Sequence, residues 1–178
     1  LPYKENYCFE YASAASLWIA EFFKKSKFKK NNFIYGNTKS KNYLTKNYKN
    51  INLKNLDSKI KSSTKEYSLK LIKEINDKKY DLVEIHNRPL ILFNLISKIE
   101  CKFVFYFHND PLSMKGSKST SERLLILKSV DKIIFVSEWV KKRFFSDLDE
   151  KLSTKTEVIY PSVKKKNSTK KFKYITFV

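Results

Sequence analysis

The chain contains two histidines, and each closes an apolar run that reads as a β-strand. His86 follows Leu82-Val83-Glu84-Ile85, and His108 follows Lys102-Phe103-Val104-Phe105-Tyr106-Phe107. Imidazole exchanges protons near neutral pH, so a histidine at a strand end is a candidate general base or donor to a substrate hydroxyl. In an open parallel sheet, ligands bind in the crevice beyond the carboxyl ends of the strands, which is where both rings would stand. The first junction, Glu84-Ile85-His86-Asn87-Arg88-Pro89, gathers an acid, an imidazole, an amide and a guanidinium, with Glu84 and His86 on one side of the strand. Such a set suits sugar hydroxyls or a phosphate. The structural alternative is that Asn87 caps the next helix while Arg88 makes a surface ion pair. The second junction, His108-Asn109-Asp110-Pro111, opens a loop that reaches Gly116 and has the length to move over a ligand; its structural alternative is an Asn-Asp-Pro turn. The third, Ser137 after Ile133-Ile134-Phe135-Val136, reads as a helix cap with Glu138 in the first turn, where backbone N–H groups can meet a substrate oxygen.

The elements that must position these residues follow from the hydrophobic pattern. Residues 9 to 23 predict a well-buried helix ending in the basic tail Lys24-Lys25-Ser26-Lys27. A short strand at 32–36, a Lys/Asn-rich loop at 37–50 and a second short strand at 51–53 come next. Ser63-x-x-Glu66 has capping-box spacing and predicts a helix over 63–77. Three strand-helix cycles then follow. They comprise strand 81–86 with a helix opening at Pro89, strand 102–108 with a helix over 121–129 capped at Ser119-x-x-Glu122, and strand 132–136 with a helix over 138–145. A last strand spans 157–160. Uninterrupted apolar strands alternating with helices predict an α/β fold, a Rossmann-like parallel sheet with helices on both faces.

Composition bounds the partners. The 178 residues, 42% hydrophobic, suffice for one ordinary domain with a core. A net charge of +19 raises nucleic-acid binding, but only three of the 37 basic residues are arginine and the lysines are scattered, so nucleic acid is not the expected partner. The same field favours anionic membranes or phosphorylated substrates. Cys8 and Cys101 lack metal-site spacing and read as free, mostly buried thiols in a reducing compartment, and no metal site is expected. No apolar stretch approaches transmembrane length, which reads as cytoplasmic or peripheral. The dinucleotide fingerprint, the P-loop and the G-x-S-x-G elbow are all absent. Both ends look cut: Leu1-Pro2 reads as the tail of a strand, and Tyr174-Ile175-Thr176-Phe177-Val178 as the beginning of one.

Together, E-x-H-N-R-P, the strand ending H-N-D-P, the loop M-K-G-S-K-S, the helix E-R-L-L and D-K-I-I-F-V-S-E-W-V-K-K-R-F are similar to the amino-terminal domain of retaining glycosyltransferases of the GT-B fold, in the group 1 or family 4 set. Residues 80 to 163 carry most of the likeness. It implies one half of a GT-B fold, with residues 1–170 as the acceptor-binding domain, its first strand truncated. Residues 171–178 would open a nucleotide-sugar-binding domain outside the sequence. His108 then matches the family histidine that contacts the donor sugar near the reacting carbon. Tyr3, Lys4, Glu5, Asn6, Glu84, His86, Asn87, Arg88, Asn109, Asp110, Ser137 and Glu138 would line the acceptor side.

The resemblance further implies metal-independent transfer from a nucleotide-sugar co-substrate, with no other cofactor, to a glycan or lipid-linked acceptor. The setting would be bacterial-type cell-surface polysaccharide or lipopolysaccharide synthesis at the inner membrane face. The 178 residues alone are expected to lack transferase activity. Two departures stand out: Lys4-Glu5-Asn6-Tyr7 where many relatives are glycine-rich, and Tyr160-Pro161-Ser162 where many have N-G. The alternatives are a non-catalytic basic module binding anionic glycan or nucleic acid, and a GT-B relative with another reaction, such as a nucleotide-sugar epimerase.

Overall fold

A helix after each apolar strand carries the chain back to the end of the sheet where that strand began, so that the next strand can pair in parallel. The computed structural model describes residues 1, 5–53 and 62–161 and shows this arrangement. In chain order the elements are α1 (Ala14–Lys25), β1 (Ile34–Gly36), β2 (Tyr48–Asn50), α2 (Ser63–Asn76), β3 (Leu82–His86) and α3 (Pro89–Leu95). They continue with β4 (Lys102–Phe107), α4 (Thr120–Ser129), β5 (Lys132–Phe135), α5 (Glu138–Phe144) and β6 (Thr156–Val158). Strands β3-β4-β5-β6 lie side by side in one parallel sheet, and β1 and β2 form a separate parallel pair. This is the Rossmann-like α/β half expected from the sequence.

One face of the larger sheet presents Phe103, Phe105, Phe107, Ile133 and Phe135 to the helices, where Ile91, Leu92, Leu95, Ile126, Val140 and Phe144 close the core. Burying one such side chain contributes about 2–3 kcal/mol. The ring of Phe107 packs 5.2 Å from Phe144 and 5.7 Å from Phe135. A second core joins Tyr7, Ile19, Ala20, Ile34, Leu44 and Tyr48 between α1 and the β1-β2 pair. Both cysteines are free, Cys8 buried and Cys101 partly so. No helix among the described residues is long and apolar enough to cross a membrane.

Several boundaries differ from the pattern reading. α1 begins at Ala14, with Ser13 as its cap, because Phe9 and Tyr11 lie exposed in a turn. It is also less buried than expected, with Leu17 and Phe22 half exposed. β2 falls at Tyr48–Asn50 instead of 51–53, set by its ladder with β1 rather than by its own apolar residues. The cap of α2 is Ser62, whose hydroxyl accepts from the Lys65 N–H, one residue before the expected Ser63. By contrast, the Ser119–Glu122 capping box forms in both directions. The last strand is Thr156–Val158, earlier than expected, and the expected strand at the carboxyl end lies outside the described residues.

Candidate functional site

The β3-β4 ladder places His86 opposite Tyr106, and His108 follows two residues on. That register brings His86 Nδ1 to 2.8 Å from His108 Nε2. The His86 ring stacks on Tyr106 at 4.5 Å, while Trp18 of α1 lies edge-on over His108 at 5.2 Å and over His86 at 6.2 Å. His86 is only 6% exposed and His108 is partly buried. Burial disfavours a cationic ring, so it pulls His108 down to about 4. Burial first, and then the neighbouring His108 and the chain's amino group, hold His86 well below the ordinary histidine range. Both rings are therefore neutral at pH 7, and one proton is shared along the Nδ1···Nε2 line.

Asn87 fastens this pair. Its backbone adopts φ 55°, a left-handed conformation that asparagine tolerates better than most residues. Its side-chain oxygen accepts from the His108 N–H at 2.8 Å, and its amide donates to Asn109 Oδ1 at 2.7 Å. Asn87 thus locks two loops together and is not the helix cap. Arg88 holds the cap position of α3 without a side-chain cap bond, and its Nη1 donates to the Asn87 carbonyl at 3.0 Å.

The loop after β4 is anchored at both ends. Asp110 caps a 3-10 turn at Pro111–Ser113 by accepting from the Leu112 N–H, and its carboxylate takes two hydrogen bonds from Arg143 of α5 at 3.0 and 3.2 Å. Those bonds hold the Asp110 carboxyl below the usual carboxylate range. Gly116, at φ 90°, lets the loop approach Pro89 and Leu90.

The remaining candidates are spread around this centre. Glu84 is exposed at the sheet edge, yet it stands among the walls of a cleft. The resulting loss of solvent raises its carboxyl, partly offset by a hydrogen bond from the Tyr106 hydroxyl. Ser137 caps α5 by accepting from the Val140 N–H at 3.2 Å, and Glu138 lies in the first turn. Both stand at the end of β5, beside β4, with no hydrogen bond to the histidines among the described residues. Glu5 and Asn6 are partly buried on the segment entering Tyr7, while Tyr3 and Lys4 lie outside the described residues. Among the described residues no group of three or more His, Cys, Asp or Glu is placed to hold a metal ion.

Three site residues escaped the sequence reading. Trp18 sat unremarked inside an apolar helix, Tyr106 counted only as strand, and Arg143 is 33 residues from Asp110. The only available signal for Arg143 was its rarity among so many lysines.

The family model described as Glycosyltransferase Family 4 matches residues 47–166, about two thirds of the chain. The chain belongs to that family. No curated protein matches it significantly. The matched region of this glycosyltransferase family 4 domain contains β3, β4, β5 and the loops that carry His86, His108, Asp110 and Ser137. A neutral imidazole pair at two adjacent strand ends can accept a proton or hydrogen-bond a hydroxyl, which suits sugar chemistry.

Proposed function

We propose that this domain is the acceptor-side half of a retaining GT-B glycosyltransferase. It would pass a sugar from a nucleotide sugar to a glycan or lipid-linked acceptor in cell-surface polysaccharide or lipopolysaccharide synthesis at the cytoplasmic membrane face. The observation that supports the reading is the buried, neutral His86–His108 pair at the carboxyl ends of neighbouring strands.

In this reading His108 is the catalytic residue. Its Nε2 is engaged with His86, so Nδ1 is the nitrogen that meets a donor-sugar hydroxyl near the reacting carbon. Sugar transfer builds positive charge at that carbon, and a neutral ring can orient the sugar without opposing the charge. His86 then positions His108 by fixing its tautomer, from beneath the site. Arg88, Asn109, Asp110, Glu84, Ser137, Glu138, Glu5 and Asn6, with Tyr3 and Lys4, form the acceptor side. The nucleotide sugar is a co-substrate, and no residue of the chain is assigned to a metal.

The test is to follow the two histidine ring signals by NMR while adding glucosyl, galactosyl and mannosyl disaccharides and their nucleotide sugars. Saturable movement of the His108 signals with at least one sugar is expected. Ring signals unmoved by every sugar would overturn the assignment.

A further inference from the structure

Of the chain's two tryptophans, Trp18 is packed over the histidine pair, whereas Trp139 stands 57% exposed in the first turn of α5. A single exposed ring is ordinary on a protein surface. This one differs in being held. The Arg143 guanidinium, one helical turn further along α5, lies over the indole at 5.8 Å from the ring centre. Arg143 is itself fixed by Asp110, to which Nε and Nη2 donate side by side. Asp110 is anchored in turn, because its Oδ1 also accepts from the Leu112 N–H. The indole therefore rests on contacts rooted in the backbone of the β4 loop, and its own N–H makes no hydrogen bond among the described residues.

The same contacts set the ring at the carboxyl ends of the strands. Phe107 pairs with Phe135, and the Val136 N–H donates to the Phe107 carbonyl, so β4 and β5 end side by side. His108 leaves the end of the first strand, and Ser137-Glu138-Trp139 leave the end of the second. What these groups leave unused is polar. Arg143 Nη1 makes no hydrogen bond among the described residues, and Asp110 Oδ2 accepts only from Arg143 Nη2. Both side chains are partly open to solvent. A pyranose complements this combination: its weakly positive C–H groups are attracted to the negative face of an indole, and its hydroxyls both donate and accept around the edge. A purely apolar partner would instead cover Nη1 and Oδ2 without pairing them, which costs free energy.

We propose that Trp139 is a stacking platform for a sugar ring of the acceptor. The sugar lies on the indole face turned away from Arg143, and Arg143 Nη1 and Asp110 Oδ2 meet hydroxyls beside it. The inference rests on the acceptor-side reading above and gives it a subsite. Arg143 has two parts in it, as the prop that fixes the indole and as a donor. The platform selects a glycan acceptor, because an acceptor without a sugar ring has nothing to lay on the indole.

The experiment titrates the full chain with glucosyl, galactosyl and mannosyl disaccharides and trisaccharides, and follows the indole N–H signals by NMR beside those of the histidine rings. Trp139→Phe assigns the two indoles. Saturable movement of the Trp139 signal with at least one saccharide is expected, with magnetisation transfer between the indole and the sugar C–H protons. Trp139→Ala should weaken binding of that saccharide by roughly tenfold or more. Trp139→Tyr should weaken it less, because a ring face remains, and Arg143→Ala by a few-fold. The urea midpoint of Trp139→Ala should stay close to the parent's, since the ring lies outside the core. Movement at Trp139 with a silent His108 supports the platform and removes the histidine assignment. Movement at His108 with a silent Trp139 overturns the platform and leaves the acceptor-side reading standing. Silence at both, or full affinity in Trp139→Ala, also overturns the platform. An indole that responds to phosphatidylglycerol vesicles and to no saccharide overturns it in favour of a membrane contact.

Discussion

His86 Nδ1 and His108 Nε2 face each other at 2.8 Å beneath the edge of Trp18, so one ring must donate the proton that the other accepts. Two imidazolium rings could not share that line, because both facing nitrogens would then be donors. The pair is stable only while at least one ring is neutral. Burial enforces this for both.

Stability should therefore depend on pH in a definite direction. Unfolded histidine titrates near 6.5, whereas folded His108 is pulled down to about 4. Between those values the unfolded chain binds more protons, so stability rises with pH. The contribution is fully present above about 6.5 and is lost as the pH falls towards 4, reaching on the order of 3 kcal/mol for this ring. Urea unfolding at pH 7.5 and 5.5 checks it while most carboxylates remain ionised. His108→Gln should reduce the difference without abolishing it, because His86 and the buried Leu1 amino group are also held below their ordinary ranges, and an equal difference in both proteins would show that the His108 ring is not held neutral.

Gly116 takes φ 90°, and a Cβ there would lie 3.0 Å from Pro89 Cβ and 3.1 Å from Leu90 Cδ2. Gly116→Ala combines left-handed strain with a contact against the start of α3, where proline cannot shift easily. A loss of about 1–3 kcal/mol in urea unfolding is expected. An unaffected midpoint would mean that the loop does not pack on α3 as described.

Much of this arrangement was legible because single segments encode it. The six residues of β4 are apolar without a break, and Ser119 with Glu122 holds both halves of a capping box. Both histidines were placed at strand ends for the same reason. Their mutual contact was not legible, since it depends on the register between β3 and β4, which no local pattern states. β2 was misplaced because Tyr48, Lys49 and Asn50 pair through backbone groups, a preference that side-chain type barely reports. The start of α1 was misread because Phe9 and Tyr11 look like core residues and are exposed.

Asp110 and Arg143 tie the β4 loop to α5 with a two-pronged ion pair that is 25% and 40% exposed, respectively. Partial exposure limits its value, and a double-mutant cycle should give a coupling of about 0.5–1 kcal/mol. It should shrink in 1 M salt. Asp110→Ala should cost more than Arg143→Ala, because the carboxylate also caps the turn at Leu112. Equal single costs with no coupling would separate the loop from α5.

The proposed roles of His108 and Arg88 separate in kinetics once the domain acts together with a nucleotide-sugar-binding partner domain. A group that meets the donor sugar near the reacting carbon stabilises the transition state, so His108→Ala should lower kcat by roughly 10²-fold or more with a small change in acceptor KM. Arg88 holds only the Asn87 carbonyl among the described residues, so its remaining donors can meet an acceptor. Arg88→Ala should raise acceptor KM by about tenfold and leave kcat within a few-fold. His86→Ala tests positioning: it should lower kcat as His108→Ala does, though less, by freeing the His108 tautomer, and shift the acid limb of the pH–rate profile to higher pH, because the space it leaves admits water and relieves the burial that holds His108 low. A loss of kcat with an unshifted profile would reduce His86 to a packing residue, and unchanged kinetics in all three variants would remove the histidine pair from the reaction.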